Sequence, residues 1–441
     1  MDLQLTGQLV DAALYAIGLA TVLAIFLPFS PMTIDLVNLP RETQIAIYRH
    51  RAVLWSIAGT CLGLVLLRGL IGASQANAAS AVATARDAWL ASGSSAWAIA
   101  TLVTIGVLIV LFWSGYVPFV MTPPSRHRIL AAADADKILA RDDVVLGIVC
   151  DDEVRAYPRD AIARPHYFSD TLASTPMMIS YCILCNSALA FKSVLDGRVL
   201  DLKCVTAYNN NNIYHEPATG NFIQQLDGQV FDGPDAGKAL DTHPVTLAAW
   251  GDWKHLHPDT TLYHAPTIGV RDKIVARMLQ SLIPISRLSK RSRPWHRIRG
   301  KLDKRLPAMS FVIGVQIDAE ACAYPLTALR SRPVLDDTVG GKPITLFYDV
   351  DHDVGAVFSR QVDSRTLTFL PSEIPGAKAG ARDRETGTLW TLNGEAIEGP
   401  LRGRSLEPVP HVSKLFWFSW ALFKPGTRVV EPTIEALLRA A

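Results

Sequence analysis

The chain is predicted to be a β-rich α+β protein, in which two tandem, similar β-rich domains follow three transmembrane helices. Three observations carry that expectation. Long apolar stretches stand near the N-terminus, one segment recurs at a constant offset, and short apolar runs bounded by turn residues fill both copies. The expected boundaries are a membrane region over 1–125, a first repeat over 126–265, a basic linker over 266–306 and a second, divergent repeat over 307–435.

The apolar stretches cover residues 12–29, 52–73 and 96–120. Each approaches or exceeds the roughly 20 residues a helix needs to cross the hydrocarbon layer. Only Arg68 interrupts them. A cleaved signal peptide is the rival reading for the first, but the opening Met-Asp-Leu-Gln-Leu has no positive region and no small-residue cleavage site follows Phe29. Arg41, Arg49 and Arg51 lie between the first two stretches, Arg86 between the next two, and Arg126 and Arg128 after the third. Because positive residues gather on the cytoplasmic side, this count predicts cytoplasmic repeat domains.

The repeat sets residues 147–191 above 314–358 without a gap. Ala156-Tyr157-Pro158 matches Ala323-Tyr324-Pro325, and Asp170, Pro176, Tyr181 and Phe191 match Asp337, Pro343, Tyr348 and Phe358, all at an offset of 167. Thr219-Gly220 matches Thr386-Gly387. Trp250, Trp253, Pro258 and Thr260 match Trp417, Trp420, Pro425 and Thr427. Strands are expected over 144–149, 155–157, 177–181, 188–194 and 198–204, the last two flanking a Leu-Asp-Gly turn, with counterparts over 311–317, 343–348, 354–360 and 366–370. Short helices are expected to begin with Pro158 and Pro325 at their first position. A helix with Trp-x-x-Trp should close each copy against the sheet, stopped by Pro258 or Pro425.

The net charge of +2 names no electrostatic partner. Residues 271–305 nevertheless hold twelve Lys and Arg against two Asp, with Ile274, Met278, Leu279 and Leu282 at helical spacing. A solvated linker is the plain reading, and contact with anionic headgroups the sharper one. A basic segment without a recognition fold does not argue for nucleic acid, and none is expected as a partner.

The chemistry-bearing residues emerge where the copies differ. The first reads Cys182-Ile-Leu-Cys185, the second Asp349-Val-Asp-His352. Two thiols three apart can chelate a soft ion or form a small-loop redox disulfide. A structural zinc ion wants four ligands, so a metal reading recruits Cys204, His166 and His215 from the same copy. The plain alternative is a pair of small buried residues in a tight turn. Cys61, Cys150 and Cys322 read as small buried residues. In the second copy Asp349, Asp351, His352 and Asp353, with Asp336, Asp337 and Asp383, form a hard-ligand set, or the trace of a lost site. The run Asn209-Asn210-Asn211-Asn212 is expected as a loop near the Cys turn.

With those residues in place, the chain resembles the domain-of-unknown-function 3179 family. The resemblance is carried by Ala156-Tyr157-Pro158, His166, Asp170-Thr171-Leu172, Tyr181-Cys182-Ile183-Leu184-Cys185-Asn186-Ser187-Ala188 with Phe191, Tyr208-Asn209, Thr219-Gly220 and the span 250–260. The second copy matches through Asp337-Thr338-Val339-Gly340-Gly341, Thr386-Gly387-Thr388-Leu389-Trp390 and Gly399-Pro400-Leu401 with Gly403. Ile183 stands where the family pattern has Pro, and Ile223 where it has Trp. The resemblance implies an extracytoplasmic domain, against the charge count, and supplies no reaction.

The expected function is therefore a membrane-anchored protein that binds a soft transition metal, such as copper or zinc, or performs thiol redox chemistry, through Cys182 and Cys185. The alternative is a non-catalytic ligand-binding or scaffold module, with a cleft between its halves for a small ligand and a structural Cys pair. A thiol hydrolase pairing Cys182 or Cys185 with His166 or His215 is a more distant third. No catalytic residue is assigned.

Overall fold

The computed structural model describes residues 3–31, 33–75, 95–124, 126–265, 274, 285–288, 290–374 and 377–431. The chain forms two compact units, Met1–Val120 and Met121–Ala441. Most of the basic segment's apolar positions, including Met278, Leu279 and Leu282, lie outside the described residues.

The first unit is helical. Three helices, Leu3–Phe26, Arg51–Gln75 and Ser95–Gly115, are long and apolar enough to cross a membrane. Val22, Ala58 and Leu62 pack with Tyr15, Leu108 and Phe112 where they meet. Arg68 is not a bare charge in this bundle: its Nε donates to Asp11 Oδ1 at 2.6 Å and a terminal amine donates to the Gly7 carbonyl. Both charged side chains are buried, so removing one would leave the other uncompensated in an apolar surround.

The second unit is β-rich, as the alternating short runs predict. In its first half β14 (Thr246–Ala249), β2 (Val144–Cys150), β3 (Glu153–Pro158), β15 (Thr261–His264) and β1 (Arg128–Ala131) form one sheet in that spatial order. In the second, β27 (His411–Phe416), β16 (Phe311–Ile317), β17 (Glu320–Pro325) and β28 (Arg428–Val429) do the same. Both sheets run antiparallel, antiparallel, then parallel through these four equivalent positions. A second sheet follows in each half. It contains β13 (Thr242–His243), β6 (Ser187–Lys192), β5 (Thr175–Cys182) and β4 (Tyr167–Leu172) in one, and β18 (Val334–Val339), β19 (Lys342–Asp349) and β20 (Val354–Ser359) in the other. The third sheets are β12 (Val230–Asp232), β11 (Asn221–Gln224), β10 (Asn211–Glu216) and β9 (Lys203–Tyr208), and β26 (Ala396–Glu398), β25 (Leu389–Trp390), β24 (Ala377–Asp383) and β23 (Phe369–Ile374).

The same local devices recur at matched positions. Tyr157 and Tyr324 each donate to an aspartate, Asp170 and Asp337, at 2.7 Å. The Trp helices Trp250–Leu256 and Trp417–Phe423 lie against the first sheets, and the indoles of Trp253 and Trp420 donate to Thr260 and Thr427. Their rings come so close that a Cβ at Gly147 would sit 2.3 Å from Trp253, and one at Gly314 2.5 Å from Trp420. Only glycine fits there.

Two local expectations are corrected. Pro158 and Pro325 cap their helices, Arg159–Ile162 and Leu326–Ser331, instead of opening them, because each is still extended as the last residue of a strand. The strands expected over 188–194 and 198–204 are broken into β6, a two-residue ribbon of β7 (Val194–Leu195) and β8 (Arg198–Val199) around Asp196-Gly197, and β9. The ribbon of β21 (Gln361–Val362) and β22 (Arg365–Thr366) takes the corresponding place in the second half.

The halves interlock crosswise. β27 of the second half lies beside β6 of the first, and β14 of the first beside β20 of the second. Val354 of β20 is thus buried among Val145, Ala156, Ala248, Trp250 and Trp253, while Phe416 and Phe418 are buried with Cys182, Leu184 and Cys185. Each sheet's hairpin loop is thereby brought to the start of the other half's Trp helix.

Candidate functional site

The two cysteines end β5 and occupy the turn into β6, where Cys182 pairs with Ser187 across four loop residues. Asn186 closes that loop with a left-handed φ of 55°, a conformation asparagine tolerates. Its carboxamide accepts from Tyr181 Oη at 2.7 Å and donates to the Lys414 carbonyl at 2.6 Å, and the Phe416 N–H donates to the Cys185 carbonyl at 3.0 Å. These bonds tie the turn to β27. Both thiols are free and fully buried, covered by Phe416, Phe418, Leu288 and Met309, with Trp295 and Ile298 packed at the margin.

The asparagine run does two jobs. Asn209 and Asn210, with φ of 49° and 62°, are the two central residues of the hairpin turn between β9 and β10, a left-handed pair that favours Asn or Gly. Their side chains grip the linker backbone reciprocally, Asn209 at Arg299 and Asn210 at His296, each accepting one N–H and donating to one carbonyl. Asn211 and Asn212 instead belong to β10 and are buried. The expected loop is therefore confined to the first two residues, and the expected closeness to the Cys turn holds: Cys182 Sγ donates to the Asn210 carbonyl at 3.2 Å.

Cys185 is the centre of a buried polar network. Asn211 Nδ2 lies 3.4 Å from its sulfur and Ser187 Oγ 3.1 Å. Gln225 Oε1 accepts from both Asn211 (2.6 Å) and Ser187 (2.8 Å), Gln225 Nε2 donates to Ser180 Oγ, and Asn211 Oδ1 accepts from Gln224 Nε2 and the Leu226 N–H. Ser187 has one proton for two acceptors. With Cys185 as a thiol that proton suits Gln225; with Cys185 ionised it can turn to the sulfur while Asn211 still satisfies Gln225.

Burial alone would raise both thiol pKa values, and it does so for Cys182. At Cys185 burial is outweighed by hydrogen bonding to the sulfur, from Cys182, Ser187 and Asn211, and its pKa falls below the ordinary thiol value. The result is an asymmetric pair, one sulfur prepared to carry charge and one holding its proton.

The other expected donors stand apart. Cys204 on β9 faces Tyr214 in register, and burial drives its thiol far above the usual range. His215 packs against Phe222 in a tilted ring pair with centroids 4.6 Å apart. His166 is buried with Nδ1 3.2 Å from the Tyr181 carbonyl. Among the described residues no group of three or more His, Cys, Asp and Glu side chains converges at metal-binding range. Among those residues the four-donor set that zinc would need is not assembled.

The equivalent loop of the second half is an ion-pair site. His352 Nδ1 lies 2.7 Å from Asp349 Oδ2 and its Nε2 3.9 Å from Asp252 of the first half's Trp helix. The hydrogen bond to Asp349 holds the His352 pKa above its usual value. Asp353 is held by Tyr348, Arg330 and Lys414, Asp336 by Arg360, and Asp337 by Tyr324 and Arg428; Asp351 Nα donates to Asp349, and Asp383 anchors Thr386 and Trp390. These carboxylates already have structural partners.

The sequence placed Ser187 in the Cys motif and Asn211 in a run near the Cys turn without giving either a role at the sulfur, and it missed Ser180 and Gln225. A signal was present: at the 167-residue offset Ser180, Ser187 and Gln225 correspond to Phe347, Val354 and Leu392, so the polar network and the thiols disappear together.

Burial lowers His166 from 6.5 to about 4. The unfolded chain therefore takes up more protons between those values, and stability present above about pH 6.5 is lost as pH falls toward 4. His257 and His411 are shifted in the same direction by burial. Asn tolerates the left-handed φ of 67° at position 166. In denaturant titrations across this window, His166→Asn should show a shallower acid loss than the parent; an unchanged slope would remove His166 from the explanation.

No curated protein and no solved structure matches the chain. A family model described as "Protein of unknown function (DUF3179)" matches residues 116–427, nearly all of the β-rich unit. The chain belongs to the DUF3179 family.

Proposed function

We propose that the protein is a membrane-anchored thiol-redox protein in which Cys182 and Cys185 interconvert between a dithiol, with Cys185 ionised, and a disulfide within the loop. The observation that carries this reading is the set of hydrogen-bond donors gathered on the buried Cys185 sulfur. A thiol kept only for its size needs none of them, since burying polar side chains carries a desolvation cost that apolar neighbours avoid. The second half supports the same view, because its loop lacks both the thiols and the network.

Oxidation removes two electrons from the pair. The Cys185 thiolate attacks the oxidant, and Cys182 then loses its proton and attacks the Cys185 sulfur. Diamide, a small azo oxidant, takes up both electrons and ends as the hydrazine. Treating the reduced, full-length protein with it should yield a Cys182–Cys185 disulfide, seen by alkylation and mass spectrometry and absent in Cys182→Ser and Cys185→Ser. Asn211→Leu should slow that oxidation about tenfold near neutral pH, since a hydrogen bond to a charged group contributes roughly 1.5–3 kcal/mol. A wild-type pair that stays reduced sinks the reading. Copper(I), which two thiolates satisfy, would then be the remaining soft-ligand role for the pair.

A scaffold reading rests on the depth of the pair, since both sulfurs are covered by the second half and the linker. It expects the double Ser variant to fold and melt as the parent does, with no redox phenotype. The constant offset and the matched sheets support reading 126–265 and 307–435 as two copies of one domain. The loop charges support a cytoplasmic β-rich unit. A reporter fused to the C-terminus that fluoresces only in the cytoplasm should light up, and a dark fusion, with an external reporter active instead, reverses the orientation.

A further inference from the structure

We propose that the cleft between the two halves of the β-rich unit admits a small zwitterionic disulfide, of the amino-acid or short-peptide class, as the oxidant of the Cys182–Cys185 pair. This rests on the dithiol reading above and names its reaction partner.

The cleft has a volume of about 250 Å³ and draws its walls from both halves, with Leu189, Leu226 and Asp227 from the first and Asp318, Trp420 and Lys424 from the second among them. Its size suits a ligand smaller than the usual drug-sized molecule. Two wall residues, Leu189 and Leu226, are direct extensions of the groups around Cys185. Leu189 follows Ser187 by two positions on β6, so the two side chains share one face of the strand. Leu226 follows Gln225 and donates its N–H to Asn211 Oδ1 at 3.1 Å. The cleft wall at Leu226 is thus one hydrogen bond away from Asn211, which itself donates to the Cys185 sulfur.

Charge selects the ligand class. Lys424 is nearly buried, with 8% of its side chain exposed, and lies 3.2 Å from Asp227, itself only 15% exposed. Asp318 adds a second carboxylate at the turn between β16 and β17. One buried ammonium beside two carboxylates complements a molecule that carries both signs: its carboxylate completes Lys424 and its ammonium meets Asp227 or Asp318. The leucines and Trp420 suit the methylene and sulfur atoms between the charges. An uncharged oxidant makes no use of this arrangement.

The reaction balances. The Cys185 thiolate attacks one sulfur of the disulfide RSSR and releases RS⁻, forming Cys185–S–SR. Cys182 gives its proton to that RS⁻, and its sulfur attacks Cys185, releasing the second RS⁻. The pair loses two electrons and RSSR gains them, leaving RSH and RS⁻. Because Cys185 is fully buried, the wall at Leu226 has to shift to let a sulfur through.

The test uses full-length reduced protein in detergent micelles, with L-cystine as the probe and diamide as the reference oxidant, following the Cys182–Cys185 disulfide by alkylation and mass spectrometry. The wild-type rate with cystine should saturate with concentration. In Gln316→Trp, which places an indole in the cleft, and in Lys424→Gln, the ratio of cystine rate to diamide rate should fall about tenfold. Comparing rates within one protein removes any loss of fold common to both oxidants. A linear, unsaturable response to cystine, or an unchanged ratio in both variants, overturns the cleft assignment and leaves the dithiol reading standing. If diamide also fails to form the disulfide in wild type, the dithiol reading falls and the cleft proposal with it.

Discussion

The structure depends on how a fully buried sulfur is stabilised. Cys185 lies where no solvent reaches it, and a polar group in that position is costly unless its neighbours complete its hydrogen bonding. Asn211 and Ser187 do so directly, and Gln225 holds both of them in place through bonds of 2.6 and 2.8 Å. That requirement explains why three strands from two different sheets are pinned together at one point: β5 and β6 supply the turn, and β10 supplies Asn211. The hairpin of β9 and β10 reaches the site only because Asn209 and Asn210 accept two consecutive left-handed conformations.

The crosswise docking of the two halves follows from the same point. The Cys turn is fixed to β27 through Asn186 and the Cys185 carbonyl, and the matching turn of the second half reaches the first half's Trp helix through His352 and Asp252. The two contacts occupy matched places and have opposite chemistry. One is apolar, sealed and built around sulfur; the other is half-exposed and ionic. An interface that uses the same patch twice tolerates divergence of one patch while the other keeps its role.

Much of this was legible in the sequence. The strand periodicities, the Asp-Thr and Thr-Gly turns and the Trp helices were readable because each is a local pattern with a local cause. The Cys pair stood out by contrast between the halves. What was hidden depends on which strands meet. Nothing within the sequence near Cys185 announces that Gln225 lies beside it, and Asn211, though expected near the Cys turn, reads as part of a loop until strand pairing places it in β10. His166, His215 and Cys204 looked like recruits for a metal because residue type was visible and position was not. Arg68 looked like an interruption because its partner, Asp11, lies 57 positions away on another helix.

In the proposed function Cys185 is held as the charged member of an asymmetric pair. The most direct measurement is a thiolate titration of the folded, reduced protein by ultraviolet absorbance, comparing the wild type with Cys185→Ser. One thiol should ionise below the ordinary cysteine range and vanish from the Cys185→Ser curve, while the Cys182 thiol resists ionisation until the fold is lost. Wild-type and Cys185→Ser curves that coincide, with every thiol ionising at or above the ordinary range, would contradict it.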